Sequence, residues 1–569
     1  MNKSIMQKAR GLEKAELVLK NGRIINVYTN EIEAGDIAIE NGMIIGIGNY
    51  DGIKEIDMKN HYIAPGLIDG HVHIESSMLT PAEFAKLIVP KGTTTIIADP
   101  HEIANVSGVE GIKFMLENSK DLPLNVYIML PSCVPATSME NAGAKITAED
   151  IESLRGLPNV LGLGEVMDYP AVLEGERTIH EKIRVMTPML IDGHAPDIIG
   201  NDLNAYITAG VMTDHECTEV NSMIERLRRG MYVHLREGSV TRNLSTLLKG
   251  ITKDNKHRVL FCTDDKHPED IKKEGHINYN INLATKEKIE PLDAICMATV
   301  NAAQCYKLDH LGAIAPGKDA DLIVFEDLYD IEPILVFKKG KIVAKCDEAL
   351  FETKASLNDS IVDSVHFNGE DIHLKLPLKS EKVKVIELIE SNITTKKIIE
   401  RVKIKNNYFH YDQDKDILKL ALIERHHNTK NVGIGLVKGF GFKNGALATT
   451  IAHDSHNLVV VGDSDEAMMT AIKKIKEIKG GIVLVKDNKV VDYLQLEIGG
   501  IMTNQGADIV SERLRTMHEI IKTMGLNEKI DDPFIQLSFL SLPVIPELKL
   551  TDFGLFDVNA FKHVPIEEE

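Results

Sequence analysis

Two patterns of hydrophobic and polar positions follow one another along the chain. Residues 16–62 are short β-type runs with the sequences ELVLK, RIINVY, DIAIE, MIIGIG and EIDMKN. The runs are separated by the pairs Asn21-Gly22, Gly35-Asp36 and Asn41-Gly42. Because an Asn-Gly pair supplies the positive-φ residues of tight hairpins, this region predicts a small antiparallel sheet.

From about residue 65 the pattern changes to apolar strands that alternate with helix-length segments. Buried parallel strands alternating with helices are typical of an α/β fold. Eight strands in about 245 residues match the roughly 250 residues of a (β/α)₈ barrel. The predicted strands are Gly66–His71, Thr94–Pro100, Asn125–Leu130, Val160–Glu165, Met189–His194, Val211–His215, Met231–Arg236 and Val259–Asp264.

The β-type runs return after residue 310, as DLIVFE, PILVFKKG and KIVAK, and are candidates to complete the N-terminal sheet. A further unit follows, with a helix predicted near Asp465–Lys479. A second predicted helix has a core-facing stripe made of Val510, Leu514, Met517, Ile521 and Met524. The predicted domains are a small β-sandwich of residues 1–64 plus 310–355, a barrel of residues 65–309, and a C-terminal α/β or α+β domain of residues 365–569.

Charge narrows the range of partners. Lys and Arg together number 65 and Asp and Glu 85, which gives a formal net charge of −20. Such a chain suits neither nucleic acid nor an anionic membrane surface, because both require clustered Lys and Arg. No stretch approaches the roughly 20 apolar residues of a membrane helix, and the N-terminus lacks the apolar core of a signal peptide. We therefore expect no nucleic-acid and no membrane partner.

The cysteines indicate the compartment. The six of them, at positions 133, 217, 262, 296, 305 and 346, form no CxxC pair. Scattered cysteines in a long chain predict a reduced, cytoplasmic protein. Their spacing also excludes the zinc deaminases that carry an H-x-E…P-C-x-x-C signature.

Residue types that bind metal ions stand at the ends of several predicted strands. His71 and His73, at i and i+2 in an extended segment, point to the same face. The carboxyl ends of barrel strands converge on one rim, so residues that span about 200 positions of sequence meet there. Each alone fits a cap or a hydrogen-bonded polar side chain, but the joint pattern predicts a metal site. Its members are His71, His73, Glu165, His194, His215 and Asp264.

Several motifs resemble the amidohydrolase superfamily. Residues 68–73, IDGHVH, look like its opening metal motif, and TVNAA (299–303), LGAI (311–314) and GKDADL (317–322) resemble the segment that returns to the small β-domain. Within the superfamily the chain most resembles adenine deaminase. The runs that carry this resemblance are HVHIESSML (71–79), ADPHEIANV (98–106), HDSHNL (453–458) and FLSLPVIPELKLTDFGLFDV (539–558). They cover nearly the whole chain.

The resemblance implies an α/β metal-dependent hydrolase that converts adenine to hypoxanthine and ammonia in purine salvage or adenine catabolism. By family position, His71, His73, Glu165 and Asp264 hold one ion, and Glu165, His194 and His215 hold the other. Glu165 then bridges the two ions where many superfamily members have a carboxylated lysine. The donor types suit Zn²⁺, Fe²⁺ or Mn²⁺ alike, and the resemblance implies Mn²⁺ or Fe²⁺.

A mechanism follows from such a site. A water bound to two divalent ions is hydroxide near neutral pH, and its target is C6 of adenine. Asp264, beside that nucleophile, is the candidate proton shuttle to the departing amine. The candidates for a second acid near N1 are Glu75, His101 and Glu102. His234 and Arg236 end the seventh strand and also face the site, and for all five the alternative is hydrogen-bonded support or loop capping.

The C-terminal half contributes one polar cluster, in Ala452-His453-Asp454-Ser455-His456-Asn457. His453, Asp454 and His456 are candidates for a second ion site or for a lid over the barrel. The alternative is a turn in which Asp454 and Ser455 bond to backbone amides. We expect the C-terminal domain to close the pocket where a ribose on N9 would project; oligomer contacts are the equal alternative.

Two other functions stay open from the residues alone. One is an amidohydrolase that acts on a cyclic amide or an acylated amine, although the matches beyond residue 400 speak against it. The other is a non-catalytic assembly protein with this fold, which the intact ligand set disfavours. Adenine is the expected small-molecule partner, and we expect a homo-oligomer, since amphipathic helices also suit subunit contacts.

Overall fold

Segments that precede and follow the barrel in the sequence pair in one nine-stranded sheet. The structure, a computed structural model, describes residues 3–196, 198–357, 359–390, 392–412 and 414–568. Tyr62–Pro65 runs antiparallel to Leu322–Phe325, so the chain leaves the sheet and returns to it at neighbouring strands. The nine strands are Ala15–Asn26, Glu31–Glu40, Met43–Gly48, Gly52–Asp57, Tyr62–Pro65, Leu322–Phe325, Leu335–Lys338, Lys341–Lys345 and Glu348–Ala349.

One predicted hairpin is confirmed and another is wrong. Asn41-Gly42 connects two antiparallel strands, with Glu40 opposite Met43. Asn21-Gly22 instead lies inside the strand Ala15–Asn26, where it forms a bulge. The carboxylate of Asp36 stabilises this bulge, because it accepts hydrogen bonds from the Asn21 amide (3.1 Å) and from Lys20 Nζ (2.6 Å).

The sheet is mixed, and the prediction of an antiparallel sheet is wrong. The strand Ala15–Asn26 pairs in parallel with both Gly52–Asp57 and Tyr62–Pro65. The predicted break at Gly35-Asp36 is also absent, since both residues belong to the strand Glu31–Glu40. Local turn propensity is overridden here by pairing between strands, which the sequence pattern does not report.

The predicted (β/α)₈ barrel is confirmed. Five parallel strands and three further parallel strands are joined through a parallel bridge between Val72 and Asp264. The strands are Leu67–Val72, Thr93–Ala98, Asn125–Leu130, Val160–Val166, Leu190–Gly193, Thr213–Asp214, Tyr232–Arg236 and Val259–Cys262. The helices of this region are Pro81–Ile88, His101–Asn118, Ala148–Leu154, Tyr169–Glu174, Arg177–Met186, Gly200–Thr208, Val220–Arg228, Leu244–Leu247, Pro268–Glu274, Ile277–Lys286, Pro291–Met297 and Val300–Cys305.

The C-terminal domain has an α+β arrangement around an eight-stranded sheet. The helix Asp465–Ile478 buries Ala471, Ile472 and Ile475 against that sheet. The helix Ala507–Thr523 buries the predicted apolar stripe, which is therefore core. The strands of the sheet are Lys382–Leu388, Thr395–Arg401, Ile417–Ile423, Val432–Lys438, Gly445–Thr449, Leu458–Gly462, Gly481–Lys486 and Lys489–Gln495.

Smaller elements complete the described chain. A three-stranded sheet consists of Leu548–Thr551, Gly554–Asp557 and Lys562–His563, and Lys403–Lys405 pairs with Tyr408–His410. The remaining α-helices are Lys3–Ala9, Asp359–Val362 and Pro533–Ser538. Among the helices that the structure describes, none is long and apolar enough to cross a membrane.

The C-terminal domain packs against the carboxyl-end rim of the barrel. The loop after the third barrel strand reaches it through Asn141, whose amide and side chain both donate to Asp552 (3.0 and 2.6 Å). On the other side of the rim, the Thr503 amide donates to the Met78 carbonyl (2.8 Å). These contacts bring C-terminal side chains to the mouth of the barrel.

Candidate metal centre

The first and eighth barrel strands bring three donor side chains together. The Asp264 amide donates to the His71 carbonyl (2.9 Å), and the His73 amide donates to the Asp264 carbonyl (3.0 Å). This pairing holds Asp264 Oδ1 at 3.4 Å from His71 Nε2 and 3.1 Å from His73 Nε2. The two Nε2 atoms lie 3.2 Å apart, as the i and i+2 spacing predicts.

Glu165, at the end of the fourth barrel strand, lies between two groups of histidines. Its Oε1 is 3.5 Å from His73 Nε2 and 3.3 Å from His101 Nδ1. Its Oε2 is 2.7 Å from His194 Nδ1 and 3.1 Å from His215 Nε2. One carboxylate thus faces donors from the first and second strands with one oxygen and donors from the fifth and sixth with the other.

These side chains form overlapping groups with the composition of a cation site. Within each group the donor atoms lie within 4.8 Å of one another. The groups among the predicted ligands are His71, His73 and Glu165; His71, His215 and Asp264; and Glu165, His194 and His215. The structure therefore brings together all six residues that the sequence places at the strand ends.

Backbone and side-chain contacts orient the donors. His73 Nδ1 lies 2.8 Å from the Asp99 carbonyl oxygen, so Nδ1 carries a proton and Nε2 is the ring nitrogen that faces the cluster. The Asp99 carboxylate in turn accepts the Glu165 amide at 2.9 Å. Such outer contacts fix the ring tautomer and orientation of a histidine that binds a metal.

Neighbouring charges keep both carboxylates ionised. Burial alone would raise the pKa of Glu165, but His194 and His215 hold it well below its usual range. Burial likewise acts against ionisation of Asp264, but the guanidinium of Arg236, 2.7 Å from Asp264 Oδ2, holds the pKa of that carboxyl well below its usual range. Ionised carboxylates are the form that binds cations.

A cavity of about 780 Å³ opens from this cluster. The barrel lines it with polar groups, among them Glu165, His215 and Asp264. The opposite wall comes from the C-terminal domain and is mainly apolar, with Phe539 and residues 542–546. A mainly apolar cavity with a few convergent polar groups is the usual form of a small-molecule site.

The other predicted site residues divide into two sets. Those that line the cavity are His101, Glu102, Arg236, His453 and Asp454. Those that lie behind the described lining are Glu75, His234 and His456. His234 is buried in the barrel, and neither of its ring nitrogens has a hydrogen-bond partner among the described residues.

Sequence reasoning missed two parts of the site. Glu216 lines the cavity and pairs with Arg236, with 3.0 Å between Nη2 and Oε2. The sequence signal that could have identified Glu216 is its position directly after His215. The apolar wall of Phe539 and residues 542–546 lies more than 250 positions from the barrel strands that it faces, and no local pattern connects the two.

Comparisons with known proteins match both halves of the chain. The amidohydrolase family model matches residues 62–343, and the model of the adenine deaminase C-terminal domain matches residues 392–562. Adenine deaminase 2 of Carboxydothermus hydrogenoformans is 50% identical over 99% of each chain. Adenine deaminase of Clostridium acetobutylicum is 47% identical over 98% of each chain. The crystal structure of an adenine deaminase aligns at 18% identity with a TM-score of 0.45, over 58% of this chain and 99% of that one.

Proposed function

The chain belongs to the adenine deaminase family of the amidohydrolases, and from this premise we propose how its residues carry out the reaction. The protein catalyses the hydrolytic deamination of adenine to hypoxanthine and ammonia. The full-length relatives favour this activity over an amidase acting on a cyclic amide and over an assembly protein. The observation that carries the site assignment is the convergence of six donors around Glu165.

The residues of the cluster fit a pair of divalent cations. His73 directs Nε2 inward, and each oxygen of Glu165 faces its own histidines. We assign His71, His73, Glu165 and Asp264 to one ion and Glu165, His194 and His215 to the other. The mixed imidazole and carboxylate set suits Mn²⁺, Fe²⁺ and Zn²⁺ alike, and the family resemblance favours Mn²⁺ or Fe²⁺. When bound, such ions lower the pKa of a water molecule and make it nucleophilic near neutral pH.

Asp264 is the proposed proton shuttle. Arg236 holds it as a carboxylate, and its Oδ1 lies at the histidine cluster where the nucleophile and C6 of adenine would meet. A carboxylate in that position takes the proton of the attacking water and delivers it to the amine that leaves as ammonia. The Arg236 guanidinium orients Asp264 throughout and donates no proton itself, since its pKa is raised well above its usual range by Glu216 and Asp264 against the effect of burial.

A ring nitrogen of adenine must be protonated before C6 is electrophilic, and we assign this contact to His101. His101 lines the cavity with its Nδ1 3.3 Å from Glu165 Oε1, so it stands beside the reacting carbon. Glu75 lies behind the cavity lining, and Glu102 is paired with His453 at 2.9 Å. His234 is assigned a supporting role below the cluster, where burial lowers its pKa well below the usual range and keeps it neutral.

We also assign a role to each of the three domains. The barrel of residues 65–309 carries the donors, residues 1–64 plus 310–355 form its sandwich support, and residues 365–569 close the cavity. The apolar wall and the contacts of His453 support the last of these assignments. Cytoplasmic localisation and a homo-oligomeric state stay predictions from the sequence.

Removing the metal is expected to abolish ammonia release. Purified protein dialysed against a chelator should lose at least about 100-fold of its adenine-dependent ammonia production, because no side chain replaces the activated water. Mn²⁺ or Fe²⁺ added back should restore it. Ammonia release is measured with adenine, with adenosine as a parallel substrate, and metal content is measured on the same samples. Undiminished turnover by metal-free protein would contradict the assignment.

A further inference from the structure

The carboxylate of Glu102 is held by one histidine of another domain, and a second histidine of that domain lies beside it. Glu102 lies in the first turn of the helix His101–Asn118 after the second barrel strand, and only 2% of the residue is exposed. His453 Nδ1 lies 2.9 Å from its Oε1, and His456 Nε2 lies 3.7 Å from its Oε2. The ring of Phe539 stacks on His453 at 4.3 Å between centroids and fixes that imidazole from the other side.

The three side chains have the composition of a cation site, but the tautomer of His456 argues against one. Its Nδ1 accepts the Ala452 amide at 3.2 Å and therefore carries no proton. Burial lowers the pKa of His456 to about 3, so the ring is neutral and its one proton is on Nε2, toward Glu102. With that proton in place Nε2 has no lone pair for a metal. The N–H of His456 therefore faces Glu102 Oε2 at 3.7 Å, beyond hydrogen-bond distance, and Nε2 has no hydrogen-bond partner among the described residues.

Glu102 remains a carboxylate in the cavity wall. Burial would raise its pKa, but the charge and hydrogen bond of His453 outweigh burial and hold the pKa well below the usual range. The same pairing raises the pKa of His453 to about 9, against the effect of burial, so this ring is a cation at neutral pH. Glu102 accepts hydrogen bonds at the cavity wall and has no proton to give to a ring nitrogen.

A free purine base presents a donor that a nucleoside lacks. The imidazole half of adenine carries an N–H, and in adenosine that nitrogen carries the sugar instead. The nitrogen lies on the far side of the fused rings from C6, away from the Glu165 cluster. Glu102 lines the cavity next to His101, and its carboxylate groups with His453 and His456 of the C-terminal domain.

We infer that Glu102, positioned by His453 of the C-terminal domain, is the carboxylate that accepts the imidazole-ring N–H of the free base and makes the enzyme reject N9-substituted adenines. This inference rests on the activity and the metal centre proposed above. A site built to bond a substrate N–H leaves its own buried group unpaired when the N–H is missing, which rejects the analogue strongly. Glu102 touches the substrate, while His453 acts through it.

The first test uses the unaltered enzyme with adenine and 9-methyladenine. We expect kcat/KM to favour adenine by about 1,000-fold or more. Equal turnover of the two bases would overturn the inference and leave the deaminase activity standing. An enzyme inactive on both would instead contradict the activity and the metal centre, so the two failures are distinguishable.

The second test uses the E102Q variant. We expect kcat/KM for adenine to fall about 10- to 100-fold, in the range of a lost charged hydrogen bond, and that for 9-methyladenine to change less than about 3-fold. The ratio of kcat/KM for adenine to kcat/KM for 9-methyladenine therefore falls. Equal losses on both substrates would mean that Glu102 serves catalysis or folding and would overturn the inference.

Matched variants separate recognition from the packing of the domains. Glu140 is a buried barrel carboxyl that accepts Ser455 Oγ at 2.7 Å in the same C-terminal turn but stands outside the described cavity lining. E140Q should leave the substrate preference unchanged. H453N keeps a donor toward Glu102 but removes the charge, and it should narrow the preference by a smaller factor than E102Q. If the preference for adenine over 9-methyladenine narrowed in E140Q and not in H453N, His453 would not position Glu102.

Discussion

Replacing Glu165 by glutamine is expected to remove at least one metal ion per chain and nearly all activity. The two oxygens of Glu165 face separate histidine groups, at 3.5 Å from His73 on one side and 2.7 Å from His194 on the other. A neutral amide offers one oxygen and one N–H₂ group, so it cannot present a lone pair to both sides. Loss of the bridging charge also weakens the remaining ligands, because the histidines lose the carboxylate that they surround.

Metal analysis and ammonia release, measured on the same E165Q preparation, check this expectation. E174Q is the matched control, since Glu174 lines the outer part of the same cavity, is exposed, and lies outside the donor groups. It should keep two ions per chain. Full occupancy together with normal turnover in E165Q would show that Glu165 does not bridge the ions.

The barrel and the clustering of the six candidate donors were predictable because one physical rule links them. Parallel strands alternating with helices close into a barrel, and their carboxyl ends meet at one rim. The candidate donors could therefore be selected from residues at the strand ends, whereas their assignment to individual ions came from the family resemblance. His194 follows the fifth strand and His215 the sixth, and both reach Glu165 Oε2 within 3.1 Å.

The Asn-Gly turn signal predicted the N-terminal sheet less well than the alternation of strands and helices predicted the barrel. Asn21-Gly22 has the composition of a hairpin turn, yet the strand continues through it because Gly22 pairs with Gly35 and Asp36 bonds the Asn21 amide. The same two-residue signal at Asn41-Gly42 does form a hairpin. The difference is set by partners more than ten residues away, which a turn rule does not include.

The far wall of the site could not be derived from the pattern of residues. Phe539 and Glu102 are separated by more than 400 positions, and their meeting through His453 depends on how two domains dock. Sequence reasoning selected the HDSHN run as polar and unusual but left it divided between a lid and a turn. The tautomer of His456, on which its role depends, is set by a hydrogen bond from the Ala452 amide.

Replacing Asp264 by asparagine is expected to leave most of the metal bound but to slow turnover. The four histidines and Glu165 keep their positions, whereas the amide cannot take a proton from water and pass it on. General acid–base groups contribute roughly 10²- to 10⁴-fold in rate, and we expect kcat to fall within that range. Asparagine is the suitable substitution because Asp264 has a φ of 59°, a left-handed conformation that Asn tolerates better than most residues.

The neighbouring carboxyl supplies the control for this change. Asp265 lines the same cavity, accepts a hydrogen bond from Ser76 Oγ at 2.5 Å, and has a pKa that burial and the charge of Asp264 raise. Because its carboxylate lies within 4.8 Å of donor atoms of His73 and Asp264, metal content shows whether D265N also affects ion binding. D265N therefore alters a similar volume beside the shuttle without removing its carboxylate, and should lose less than about 10-fold in kcat. Metal content and kcat are measured for both variants. If the D264N protein kept two ions and turned over adenine as fast as D265N, another group would have to move the proton, and His101, which lies 3.3 Å from Glu165, would be the next residue to replace.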